Sequence, residues 1–173
     1  MPAKVDLSKL TLMDTLDLAT LIEVEAFQRY NLFVEQIGSS TDTGSFFQSM
    51  AVNEKKHAED LAARRLALFG DTPARVKLDD IFDVEAPDVG STRWNMSVFN
   101  ACQVALRSEK KAFEFYDKSL RAVTQPDVRA LFEELRDEEA EHVRMVEEIA
   151  ATLTPASKLE IEDEDDTSMR MGY

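Results

Sequence analysis

The 173-residue sequence predicts an all-α antiparallel four-helix bundle, two helical hairpins joined by one long crossover. Three observations carry that prediction. Gly and Pro number five each and fall mainly between or beyond long periodic stretches rather than inside them; a helix interior excludes Pro for want of an N–H and disfavours Gly for its backbone freedom. Two short connections flank one long one, as needed when a single link must return along the bundle axis. A segment of the first helical stretch, EVEAFQRY, recurs in the third as EKKAFEFY, so the chain reads as one hairpin written twice.

The first helix is predicted from about Thr11 to Ile37, with a heptad-spaced seam of Leu16, Ala19, Glu23, Ala26, Tyr30 and Phe33, and is stopped by Gly38 in the polar stretch GSSTDTG. The second runs from about Ser45 to Phe69, its seam Phe47, Met50, Glu54, His57, Leu61 and Leu68, and ends at Gly70. Residues 71–92 contain two prolines and no sustained helical period, and form the crossover. The third helix begins near Ser91 or Trp94 and reaches about Val123, its seam Val98, Cys102, Ala105, Glu109, Ala112, Tyr116 and Leu120. The turn TQPD then places Pro126 at the first position of the fourth helix, where its missing N–H costs nothing. That helix carries Val128, Phe132, Leu135, Glu139, His142, Val146 and Ile149, reaches about Leu153 and stops at Pro155. One domain over residues 1–157 is expected, followed by an acidic tail, 158–173, whose charge run and lack of period read as disorder.

Composition narrows the function classes. A formal net charge of -14 opposes nucleic-acid binding, which needs clustered Lys and Arg. Nothing approaches the ~18 apolar residues of a membrane span, and the first residues lack the apolar core of a signal peptide, so a cytoplasmic protein without membrane contact is expected. Cys102 is the single cysteine, so neither a disulfide framework nor a C-x-x-C metal site can form within this sequence, and its place on the seam reads as a buried small hydrophobe.

The chemistry lies in an anomaly common to all four seams: a glutamate sits in the middle of each. On the second and fourth helices a histidine follows one turn later, in EKKH (Glu54 to His57) and EAEH (Glu139 to His142), and these are the only two histidines. Positions i and i+3 share a helix face, so each turn offers a carboxylate and an imidazole together. Glu23 and Glu109 are offset by 86 residues, and Glu54 and Glu139, like His57 and His142, by 85. At about 1.5 Å of rise per residue, Glu23 and Glu54 lie roughly 25 and 21 Å from the first turn, and Glu109 and Glu139 roughly 24 and 21 Å from the second. The four carboxylates therefore share one layer. Ionised in a core, each would cost several kcal/mol in desolvation, which two divalent cations would offset. Nitrogen and oxygen donors without thiolate suit iron or manganese, and also zinc. Tyr30 and Tyr116, two turns beyond Glu23 and Glu109, can donate hydrogen bonds to those carboxylates across the bundle or serve as ordinary core tyrosines.

With these motifs in view, residues 11–153 resemble the ferritin-like superfamily, specifically its rubrerythrin-like members with E-x-x-A-x-x-x-Y helices alternating with E-x-x-H helices. The resemblance implies two iron ions, with manganese as the other candidate. It also implies bridging roles for Glu54 and Glu139, one ion each for His57 and His142, and terminal binding by Glu23 and Glu109. The implied activity is that of a di-iron oxidoreductase or ferroxidase reducing oxygen or hydrogen peroxide with Fe(II); the alternatives are iron sequestration without significant turnover, or a di-iron hydroxylase. Rubrerythrins proper carry a four-cysteine rubredoxin domain, absent from this sequence, so an external electron-donor protein is expected. Ala112 stands where they place a further glutamate. Lys55 occupies the position of the haem-ligating methionine of bacterioferritin, so no haem is expected, and the acidic tail in place of a fifth helix points to a homodimer or small homo-oligomer.

Overall fold

The computed structural model describes residues 10–77 and 96–158. These form four long helices, α1 (Leu12–Ile37), α2 (Asp42–Phe69), α3 (Val98–Ser119) and α4 (Pro126–Ala151), with a 3-10 turn at Pro155–Lys158 and no strand among the described residues. The start of α1 is fixed by a capping box. The Asp14 backbone N–H donates to the Thr11 hydroxyl, while the Thr11 N–H donates to the Asp14 carboxylate at 3.0 Å, so two of the orphan donors of a helix start are satisfied. Arg75, in the first residues of the crossover, adds two hydrogen bonds to the same Asp14 carboxylate, at 2.6 and 3.0 Å, and ties the crossover to the N-terminus of α1.

Two helix starts differ from those predicted. α2 begins at Asp42 rather than Ser45, because Thr41 caps it by accepting from the Gly44 N–H at 3.0 Å, so the polar run DTG lies inside the first turn. α3 begins at Val98 rather than near Ser91 or Trp94, since Ser97 takes the extended cap conformation and accepts from Asn100. It also closes at Ser119, short of Val123, in a turn that leads to Pro126 at the start of α4. Of the predicted crossover only residues 71–77 are described, and the predicted tail beyond Lys158 lies outside the described residues.

Contacts along the helices give their directions. On α1 and α3, Tyr30 meets Glu109 and Tyr116 meets Glu23; on α2 and α4, His57 meets Glu138 and Arg64 meets Asp127. Within the hairpins, Glu23 meets His57 and Asp17 meets Arg65, while Glu109 meets His142 and Arg129 meets the Leu120 carbonyl. In each pair one number rises as the other falls, so all these neighbours are antiparallel. The chain is an antiparallel four-helix bundle.

The apolar core is divided. One cluster joins Leu16, Ile22, Leu61, Phe115, Tyr116, Val128 and Phe132 at one end; the other joins Tyr30, Phe33, Phe47, Met50, Cys102 and Val146 at the opposite end. Each draws on all four helices. Between them lies a layer that contains the glutamates and histidines of the four seams. None of the helices in the described residues is long and apolar enough to cross a membrane.

Candidate metal centre

The layer between the two clusters is built by helix periodicity. One turn of α2 aims Glu54 and His57 at the bundle axis and one turn of α4 aims Glu139 and His142, while α1 and α3 contribute Glu23 and Glu109 from the other side. All six side chains are buried, none more than 4% exposed. They fall into two overlapping groups. Glu23, Glu54, His57 and Glu139 each offer one ligand atom, all within 4.8 Å of one another, and Glu54, Glu109, Glu139 and His142 do the same. Glu54 and Glu139 belong to both.

Both histidines turn Nδ1 inward. His57 Nδ1 lies 3.4 Å from Glu23 Oε2 and 3.4 Å from Glu54 Oε2; His142 Nδ1 lies 3.2 Å from Glu109 Oε2, 3.3 Å from Glu54 Oε1 and 3.5 Å from Glu139 Oε2. The two rings stack, with centroids 5.9 Å apart and planes 18° from parallel. The tyrosines close the layer above and below: Tyr30 donates to Glu109 Oε1 at 2.5 Å, and Tyr116 donates to Glu23 Oε1. Each hydroxyl thus holds one oxygen of its glutamate and leaves the other, Oε2, facing a histidine.

Without a cation the charges are in conflict. Burial, reinforced by the nearby Glu54 carboxylate, pushes Glu23 up to about 8. Burial and the charges of Glu109 and Glu54 hold Glu139 well above the carboxylate range. Burial acts on Glu54 in the same sense, yet the attraction of the facing His142 and His57 imidazoles outweighs it and holds that carboxyl low. Burial favours neutral imidazoles, but Glu23 and Glu54 outweigh it and lift His57 to about 10, and Glu109, Glu139 and Glu54 lift His142 as well. Burial first, then the facing carboxylates, keep the Tyr30 and Tyr116 hydroxyls protonated and therefore donors.

Five inward-facing atoms remain buried without a hydrogen bond: Glu23 Oε2, both oxygens of Glu54, His57 Nδ1 and Glu139 Oε2. Native cores seldom tolerate one such atom, since each forfeits its hydration for nothing. Here they converge, and divalent ions coordinated by oxygen and imidazole nitrogen would satisfy them together. The residues fit a metal site, and iron suits the donor set. A cavity of about 220 Å³ opens between α2 and α4 onto both histidines, flanked by Asn53, Lys56, Glu138 and Glu141. Cys102 sits in the apolar cluster, and burial pushes its thiol up to about 11.

Two residues near the centre were not singled out by the seam pattern. Glu138 places a carboxylate oxygen 2.6 Å from His57 Nε2, the ring nitrogen opposite the inward Nδ1. Arg29 is a buried cation that donates to Ser108 Oγ at 2.5 Å, beside Glu109. A signal for Arg29 was present: in the aligned repeat EVEAFQRY/EKKAFEFY it matches Phe115, a core position.

The chain matches the family described as Rubrerythrin over residues 14–150 and again over 100–170. No curated protein matches it. Among solved structures it is similar to an uncharacterized conserved protein from Magnetospirillum magnetotacticum, with a TM-score of 0.68 and 24% identity over 84% of this chain and 97% of that one. At that identity the likeness speaks for the fold.

Proposed function

Because the chain belongs to the rubrerythrin family, we propose that its buried cluster binds two iron ions and that the protein is an oxidoreductase of ferroxidase or peroxidase type. The observation that carries this reading is the overlap of two four-residue groups on Glu54 and Glu139. Two ions would then share those carboxylates, one completed by Glu23 and His57 and the other by Glu109 and His142. Bound as Fe(II), the pair supplies the two electrons with which hydrogen peroxide or oxygen is reduced.

The protein's own part is positional and protonic. Tyr30 and Tyr116 fix the orientation of Glu109 and Glu23 by donating to one oxygen of each. The two apolar clusters cap the layer and exclude bulk water from both ends, which strengthens every charge interaction within it. The cavity between α2 and α4 gives small solutes such as water or peroxide a way to the histidines, and Glu138, whose carboxylate meets His57 Nε2, can pass protons inward. The apolar groove on the outer face of α1 and α2, by contrast, is lined by Thr20, Val24, Phe27 and Ala58 among others and includes none of the six cluster residues. Reduction of the oxidised centre falls to a donor protein outside this chain.

Anaerobic titration with Fe(II) should saturate at about two ions per chain, and added peroxide should be consumed at about one per two Fe(II) oxidised, as electron balance requires. Failure to bind Fe(II), or oxidation no faster than that of free Fe(II), sinks the reading. Uptake of many more than two irons per chain under air would instead favour sequestration.

A further inference from the structure

The two halves of the centre are copies of one hairpin, and the copying is broken at two places, one in contact with a cluster residue and one close to another. Glu138 is the first. Its carboxylate accepts from His57 Nε2 at 2.6 Å, and the offset of 85 puts Asn53 at the corresponding place beside His142. One imidazole is thus backed by a carboxylate, and its counterpart by a neutral amide position. Arg29 is the second. It lies between Glu25, at 3.8 Å, and Ser108, which precedes Glu109 in sequence. The offset of 86 replaces the pair Arg29 and Ser108 by Phe115 and Ile22, both buried and apolar.

Both departures act in the same direction. A carboxylate behind a ligating imidazole raises its basicity and fixes its tautomer, which strengthens the bond to a cation at the inward nitrogen. A buried guanidinium beside Glu109 repels a cation there, and Glu25, partly exposed, cancels only part of that repulsion. Lys56 and Glu141 also carry charges at the mouth of the cavity, but both are exposed and Glu141 is paired with Arg144, so solvent screens them.

We propose that the two metal positions are unequal by construction: the one formed with Glu23 and His57 fills first and holds its ion more tightly. Glu138 acts there as a positioning residue through His57, and Arg29 weakens the position formed with Glu109 and His142. The inference rests on the two-ion reading above and adds to it an order of filling.

The test uses the full chain and Zn(II), which is redox-inert. Calorimetric titration should resolve two steps, and crystals loaded with one equivalent should show the zinc-edge anomalous peak beside His57 rather than His142. Glu138→Gln keeps the size and an acceptor oxygen but removes the charge; it should weaken the first step about tenfold or more and leave the second unchanged. Asn53→Glu, which restores the repeat, should strengthen the second step and narrow the gap. Equal anomalous peaks at one equivalent, a first peak beside His142, or a loss in Glu138→Gln shared equally by both steps would overturn the proposal while leaving two bound ions intact. Failure to bind Zn(II) at all would remove the two-ion reading itself, so the two failures are distinguishable.

Discussion

Tyr30 and Tyr116 show how much a single hydroxyl decides in this core. Each donates to one carboxylate oxygen in a place where water cannot substitute. Tyr30→Phe leaves Glu109 Oε1 without its donor, a loss of about 1–3 kcal/mol in the metal-free protein, visible as a lower denaturant midpoint. It should also weaken metal binding about tenfold at the Glu109 position and much less at the Glu23 position. Protons belong to the same accounting. With Glu23 pushed up to about 8 and His57 to about 10, both carry a proton at neutral pH in the metal-free protein. A metal ion needs the carboxylate and the neutral imidazole, so binding expels protons and affinity falls as pH falls below those values. Zn(II) affinity should rise with pH by up to about a hundredfold per unit when two protons are displaced, and the observed binding heat should track the ionisation enthalpy of the buffer. A pH-independent affinity would contradict this. The six residues that meet in the layer were legible from spacing alone, because heptad seams and a repeat offset fix both face and height. The contact of Glu138 with His57 was not, since it depends on how one helix is rotated against another, which sequence spacing on a single helix does not encode; Arg29 stood out only as a cation at a position the repeat fills with Phe115.

The hairpin turns supply the clearest case at the level of elements. Gly44 lies in the first turn of α2, and a Cβ there would stand 1.9 Å from the Gly38 carbonyl oxygen, a backbone atom that cannot swing aside. Gly38 itself ends α1 at φ 85, where a side chain is strained. Gly44→Ala should therefore force the turn open and lower stability by about 1–3 kcal/mol, whereas an alanine in a helix interior is ordinarily favourable. A melting temperature equal to or above that of the unaltered chain would refute the close approach. Helix existence was plain from the seams, but the starts were misplaced by a few residues for a physical reason. Seams are silent about polar first turns, and what sets the start is a hydroxyl acceptor, Thr41 for α2 and Ser97 for α3. α4 closes at Ala151, two residues before the expected Leu153, with Thr152 as its cap and Pro155 opening the 3-10 turn beyond it.

Across the whole molecule the divided core makes stability depend on what fills the waist. Metal-free, the layer contains buried carboxylates and five atoms without hydrogen bonds, which bound ions would satisfy. Chelation should lower the melting temperature, and an ion at about a hundredfold over its Kd should restore about 2.7 kcal/mol. No shift on adding Fe(II) or Zn(II) under anaerobic conditions would argue against the site. A larger consequence follows from how the ligands are shared. Each four-residue group takes three side chains from one hairpin and a single glutamate from the other, Glu139 in one group and Glu54 in the other. Neither hairpin can complete a coordination set alone, and neither can bury its seam alone, since both clusters draw on all four helices. Separately expressed hairpins, divided within residues 78–95, should therefore behave as complementary fragments, joined on adding the ion and parted again by a chelator, with the metal serving as a reversible latch between two half-proteins.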